Sequence, residues 1–117
     1  MIEVIKTYGL LSGLDQQGYL EYSRKAIRVI LQVPGIVEIR IYRNLLDSHK
    51  IRFTFVWQTL ADWAKFAESP ERLKMESELL NFASGIDIEL WEPLHPGKLP
   101  GEQNLTVTKM DFKLTWD

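Results

Sequence analysis

Lys6 is the residue with the clearest chemical potential. In the opening segment "IEVIKTY" the two-residue period of a strand puts Ile2, Val4, Lys6 and Tyr8 on one face and Glu3, Ile5 and Thr7 on the other. A lysine on an otherwise apolar face gives up its proton more readily than one in water, so it can act as a base or anchor an anion. The alternative is a stem that crosses the core and an amine that reaches water or pairs with a carboxylate. Tyr8, Trp57, Trp63 and Phe66 recur at strand and helix spacings that suit either a packed core or the walls of a pocket for a flat, hydrophobic ligand. A tyrosine or tryptophan there would also offer a hydrogen bond to a substrate oxygen.

The other charged residues point to structure. Glu3, Glu38, Arg40, Arg52, Asp87 and Glu89 project from the opposite faces of their segments. A catalytic carboxylate pair needs two such groups in a dry cleft with separated pKa values. Acids interleaved with bases fit cross-strand ion pairs instead. "ESPERLKMESE" reads as a solvated helix face. His49 and His95 stand far apart beside turn-like sequence, with no ligand-spaced partner, and read as surface loop residues. The absence of cysteine removes disulfides, thiolate nucleophiles and cysteine metal sites. No P-loop, GxGxxG, HExxH, GxSxG or EF-hand pattern occurs, so no cofactor and no metal are expected.

These residues must be positioned by one modest core. The chain has 117 residues, 45% hydrophobic and 26% charged, as in an ordinary soluble domain. A net charge of -2 gives no pull toward nucleic acid. No apolar run approaches the roughly 18 residues of a membrane span, and no signal-like start is present, so a cytoplasmic protein with no membrane contact is the expectation.

Asp15 is placed to cap a first helix that buries Tyr19, Leu20, Ala26, Ile27, Ile30 and Leu31, until Pro34 and Gly35 stop it. "IVEIRIYR" then turns Val37, Ile39 and Ile41 toward the helices and Glu38, Arg40 and Tyr42 away. "IRFTFVWQ" completes a hairpin with it. Thr59 caps a second helical region, and Ser69 with Pro70 starts a third, which is expected to bury Leu73, Leu79, Leu80 and Ala83 and to end at Gly85. "IDIELWE" is the fourth strand. The order β-α-β-β-α-β is the split βαβ pattern, an α+β ferredoxin-like sandwich whose four-stranded antiparallel sheet carries helices on one face. Residues 1–94 form that domain. Residues 95–117 are a C-terminal extension in which Met110, Phe112, Leu114 and Trp116 alternate as in an extra strand or a dimer arm.

"VPGIVEIRIYRN" followed by "IRFTFVWQTLADWAKFAESPERLKMESEL" resembles the antibiotic biosynthesis monooxygenase family of dimeric α+β barrel proteins. The likeness covers residues 1–94 and is specific for fold more than for function. It implies a homodimer whose sheets face each other, with a pocket between each sheet and its helices. It also implies a cofactor-independent monooxygenase for a small aromatic or polyketide-like substrate. Haem-degrading members use an Asn on the first strand and a Trp and a His in the second helical region. Here Lys6 stands at the Asn position, while Phe66 and Glu76 fall near the other two, with Trp63 one turn from Phe66. No iron-binding His remains. On this reading Lys6 is the catalytic residue and Tyr8, Trp57, Trp63 and Phe66 line the pocket. The alternatives are a non-catalytic small-ligand-binding or stress-related protein of the same fold, or a subunit whose tail serves oligomerisation.

Overall fold

The computed structural model describes residues 1–94. The strand or dimer arm expected over 95–117, and His95 with it, lie outside the described residues. Strand β1 (Ile2–Leu10) is followed by α1 (Gln16–Leu31), β2 (Ile36–Arg43), β3 (Lys50–Trp57), α2 (Leu60–Ala67), α3 (Pro70–Leu79) and β4 (Ala83–Trp91). The strands form one antiparallel sheet in the order β2-β3-β1-β4, which is the ferredoxin-like arrangement expected from the sequence. The helices start where their caps predict. Asp15 Oδ1 accepts from Gly18 N at 3.1 Å, Thr59 Oγ1 from Asp62 N at 3.1 Å, and Ser69 Oγ from Arg72 N at 3.2 Å.

Cross-strand register decides which side chains meet. Val4 pairs with Phe55 and Leu90, Lys6 with Phe53 and Ile88, and Tyr8 with Ile51. The helix-facing core therefore has two buried parts, one around Ile2, Val4, Ile30 and Trp57 and the other around Tyr8, Phe53, Leu79 and Ala83. Val4 belongs to the first and Tyr8 to the second, so Lys6 interrupts the apolar face between them.

Several expectations are corrected. The β2–β3 register slips between Ile36 and Glu38, so Ile36 packs into the core while Val37 is exposed. Helix α3 ends at Leu79, leaving Leu73 and Leu80 exposed, and Ala83 is buried as a strand residue. Gly85, at φ 64°, lies within β4 where its pairing with β1 shifts, and is no helix stop. The inward stripe of α1 includes Tyr19, Tyr22, Ile27 and Ile30, whereas Leu20 and Leu31 face out. Ile41 and Leu90, on the outer strands, are also exposed.

On the helix-free face Arg40 holds Glu38, two residues away on its own strand, at 2.9 Å, and reaches Glu3 on β1 at 3.9 Å. Arg52 lies over the Tyr42 ring, 4.4 Å from its centroid. Thus Arg40 bridges strands as expected, but its shorter bond runs along β2.

The turn into β2 needs Gly35, which sits at φ 97° with Asp62 so close that a Cβ would stand 2.4 Å from Asp62 Cγ. Asp62 is itself tied to the Thr59 cap at 2.8 Å. Gly35→Ala is expected to cost about 1–3 kcal/mol, read as a lower urea midpoint with an unchanged slope. An unshifted midpoint would mean that the turn and the cap re-form around the methyl group.

Candidate active site

A cavity of about 70 Å³ lies between the sheet and the helices. Lys6, Tyr8, Trp57, Trp63 and Phe66 all line it, so residues drawn from β1, β3 and α2 converge on one space. Tyr22 and Ser23 from α1 and Arg72, Met75 and Glu76 from α3 complete much of the wall. Trp57 stacks on Phe66 with centroids 5.4 Å apart, and Phe53 stacks on Phe55 at 5.5 Å and on Tyr8 at 6.1 Å.

Lys6 donates from Nζ to Glu76 Oε1, a contact between β1 and α3, and Arg72 Nε stands 3.7 Å from the same oxygen. The Lys6 side chain is 13% exposed and that of Glu76 24%, so the pair sits at the edge of the cavity rather than in its depth. Burial pushes the Lys6 amine below its ordinary value, Glu76 pulls it partly back, and Arg72 adds to the lowering. Lys6 thus lies on the apolar face with its amine paired to a carboxylate, the second of the two readings of its position. The sequence did not single out Tyr22, Ser23, Met75 or Arg72 for the site, and Glu76 entered only through the family likeness. One signal was available, since Arg72, Glu76 and Leu79 are spaced to share one face of α3.

Tyr8 and Tyr22 are held neutral. Tyr8 and Tyr19 share a hydrogen bond of 2.7 Å, and Tyr22 donates to the Met75 carbonyl at 2.9 Å. Burial raises the Tyr8 phenol, with its bond to Tyr19 next. Burial likewise raises Tyr22, followed by Glu76 and Glu78. An acid whose folded pKa is raised ionises first in the unfolded chain, so stability is expected to fall as pH rises past the ordinary tyrosine value of 10.0. Urea melts of the Tyr8→Phe variant on the alkaline side check this, and an equally steep decline would assign the loss to other groups.

Two buried polar atoms, Trp57 Nε1 and Ser23 Oγ, have no hydrogen-bond partner among the described residues. The site as a whole is an aromatic box with one amine–carboxylate pair at its rim, suited to taking a proton from a weakly acidic ring substituent and holding the resulting anion.

The family model for antibiotic biosynthesis monooxygenase matches residues 1–77, more than half of the chain. The chain belongs to the antibiotic biosynthesis monooxygenase family. Solved structures agree in fold. SnoaB from Streptomyces nogalater, described as a cofactor-independent oxygenase, has a TM-score of 0.70 at 12% identity, covering 85% of this chain and 96% of its own. A conserved protein from Methanosarcina mazei has a TM-score of 0.72 at 13% identity over 80% of this chain and 92% of its own. A Pseudomonas aeruginosa protein gives 0.66 at 14% identity over 80% and 94%. A comparison with curated proteins found no match.

Within this family the haem-degrading arrangement does not fit the site. No histidine lines the cavity, Glu76 is engaged with Lys6 and Arg72, and about 70 Å³ is far too small for a haem. Among the described residues no cluster of His, Cys, Asp and Glu could hold a metal ion, and no helix is long and apolar enough to cross a membrane.

Proposed function

We propose that this chain is a cofactor-independent monooxygenase for a small, electron-rich aromatic substrate, with Lys6 as its catalytic residue. The observation that carries this reading is the Lys6–Glu76 pair, with Arg72 beside it, at the rim of a cavity lined mostly by Tyr8, Trp57, Trp63, Phe66 and aliphatic groups. The likeness to a protein described as a cofactor-independent oxygenase supports it.

In this reaction the substrate hydroxyl yields its proton to the amine–carboxylate pair, and the phenolate rests on the Lys6 ammonium. The electron-rich ring gives up electrons to dioxygen, and a carbon–oxygen bond forms at a ring C–H carbon. The hydroperoxide then loses water as that carbon becomes a carbonyl. One O2 is consumed, one of its atoms enters the product, and the other leaves as water with two substrate hydrogens. Trp57, Trp63 and Phe66 keep solvent from the intermediates.

The protein acts as a homodimer through the helix-free sheet face. Trp91 and Tyr42 are exposed on that face, beside the Glu3–Arg40–Glu38 ion pairs. The lack of cysteine suits a reducing, cytoplasmic setting. A second reading, a non-catalytic binder, is favoured by one fact, that Lys6 is already satisfied by Glu76.

Oxygen uptake with a panel of hydroxylated aromatic compounds, without added metal, flavin or haem, tests the proposal. Uptake with formation of a quinone product is the expected result, and silence across the panel transfers the cavity to the binding role. Sedimentation showing a monomer at micromolar concentration would overturn the dimer.

A further inference from the structure

Trp57 has a chemically costly placement. Its side chain is 1% exposed, and its indole N–H finds no partner among the described residues. An orphaned buried donor is unfavourable, and a phenylalanine would pack on Phe66 without that cost. Ser23 repeats the pattern on another wall. A serine inside a helix ordinarily returns its hydroxyl to the carbonyl one turn back, yet Ser23 Oγ is buried and unpaired within α1. Both residues line the same cavity.

The positions of these donors relative to Lys6 are informative. Lys6 pairs with Phe53, and Trp57 lies four residues further along the same face of β3. That separation is about 13 Å of strand. Lys6 and Trp57 therefore reach into the cavity from separated points of the sheet, and Ser23 faces it from the helix layer above. The volume sets the size of the guest. An apolar cavity of roughly 150 Å³ accepts benzene, so a space of about 70 Å³ admits one ring only when lining side chains move aside, and one ring is the upper limit on the guest. The cavity's rim at Glu76 and Arg72, each 24% exposed, leaves room for a substituent.

We propose that the substrate is a single aromatic ring bearing two oxygens, one held by Lys6 and the other accepting hydrogen bonds from Trp57 Nε1 and Ser23 Oγ. This rests on the oxygenase reading above and makes Trp57 and Ser23 its specificity-determining residues.

The test compares para-methoxyphenol with para-ethylphenol, and the corresponding meta pair, by calorimetry on the full chain. Within each pair the shape is conserved and only the second oxygen differs. In at least one pair the methoxy compound is expected to bind about 3- to 30-fold tighter, the range of one or two net hydrogen bonds. Trp57→Phe and Ser23→Ala each narrow that gap, and the double variant closes it while still binding the ethyl compound. Equal binding in both wild-type pairs, or a gap that survives in the double variant, overturns the inference and assigns both donors to buried water. Failure of the oxygenase reading gives a different result, namely no oxygen uptake with any hydroxylated ring and phenol binding indifferent to Lys6→Met.

Discussion

Lys6→Met is expected to lower the rate of oxygen uptake by about 10²–10⁴-fold, the span of one positioned proton-transfer group. Methionine keeps the length and apolar stem of the side chain and removes only the amine, so the aromatic walls stay in place. The structural cost is small for a buried ion pair. Glu76 is 24% exposed and keeps Arg72 at 3.7 Å, so it is not left as an isolated buried charge. The double variant Lys6→Met with Glu76→Leu is expected to be as stable as the wild type or more so, while remaining inactive. Uptake rates and urea melts on the same samples separate the two effects. A single variant that unfolds, together with a double variant that regains activity, would make Lys6 a purely structural residue.

A pH signature accompanies this result. Burial lowers the folded Lys6 amine below the ordinary 10.5, so the unfolded chain holds that proton to higher pH than the folded one. Where the unfolded state carries more protons, stability rises with pH. Wild type is therefore expected to gain on Lys6→Met as pH rises toward 10.5, and the gain levels off above it. A difference that is flat with pH would show that the amine titrates alike in both states.

Trp57→Ala is expected to be the most destabilising single change, at about 3–5 kcal/mol. Trp57 is 1% exposed, belongs to the buried group of Ile2, Val4 and Ile30, and stacks on Phe66 at 5.4 Å. Its loss extends an existing cavity instead of opening an isolated one, so the surrounding side chains have little to collapse onto. A domain of this size has about 5–15 kcal/mol in all, and urea denaturation should show the loss directly. Trp57→Phe, which retains a ring against Phe66, should lose much less. Near-equal midpoints for the two variants would indicate that the α2 layer repacks over the gap.

Strict alternation made most of the fold legible. The Val4–Lys6–Tyr8 spacing alone identified the polar break in the apolar face, and Asp15, Thr59 and Ser69 marked the helix starts through a local bond that needs no tertiary partner. What escaped was set by distant pairing. The slip at Val37 exists because the neighbouring strand imposes its register, and nothing within "GIVEIR" encodes it alone, whereas Gly85 permits the shift in β4 through its φ of 64° but reads equally well as a helix stop. Leu73 and Leu80 read as core because a short helix has too few turns to fix its phase from apolar residues. The Lys6–Glu76 contact joins residues 70 positions apart, and only the packing of α3 against β1 brings them together.

That contact also ties admission of a guest to mobility of the protein. Any oxygen that claims Lys6 competes with Glu76, and Glu76 is a side-chain link between β1 and α3. Occupancy and loosening of α3 are then linked equilibria, so the free energy of the link is subtracted from the guest's affinity and returned when it leaves. A guest that binds at the amine is one that speeds amide exchange in residues 70–79, and product departure is assisted by the carboxylate reclaiming its partner.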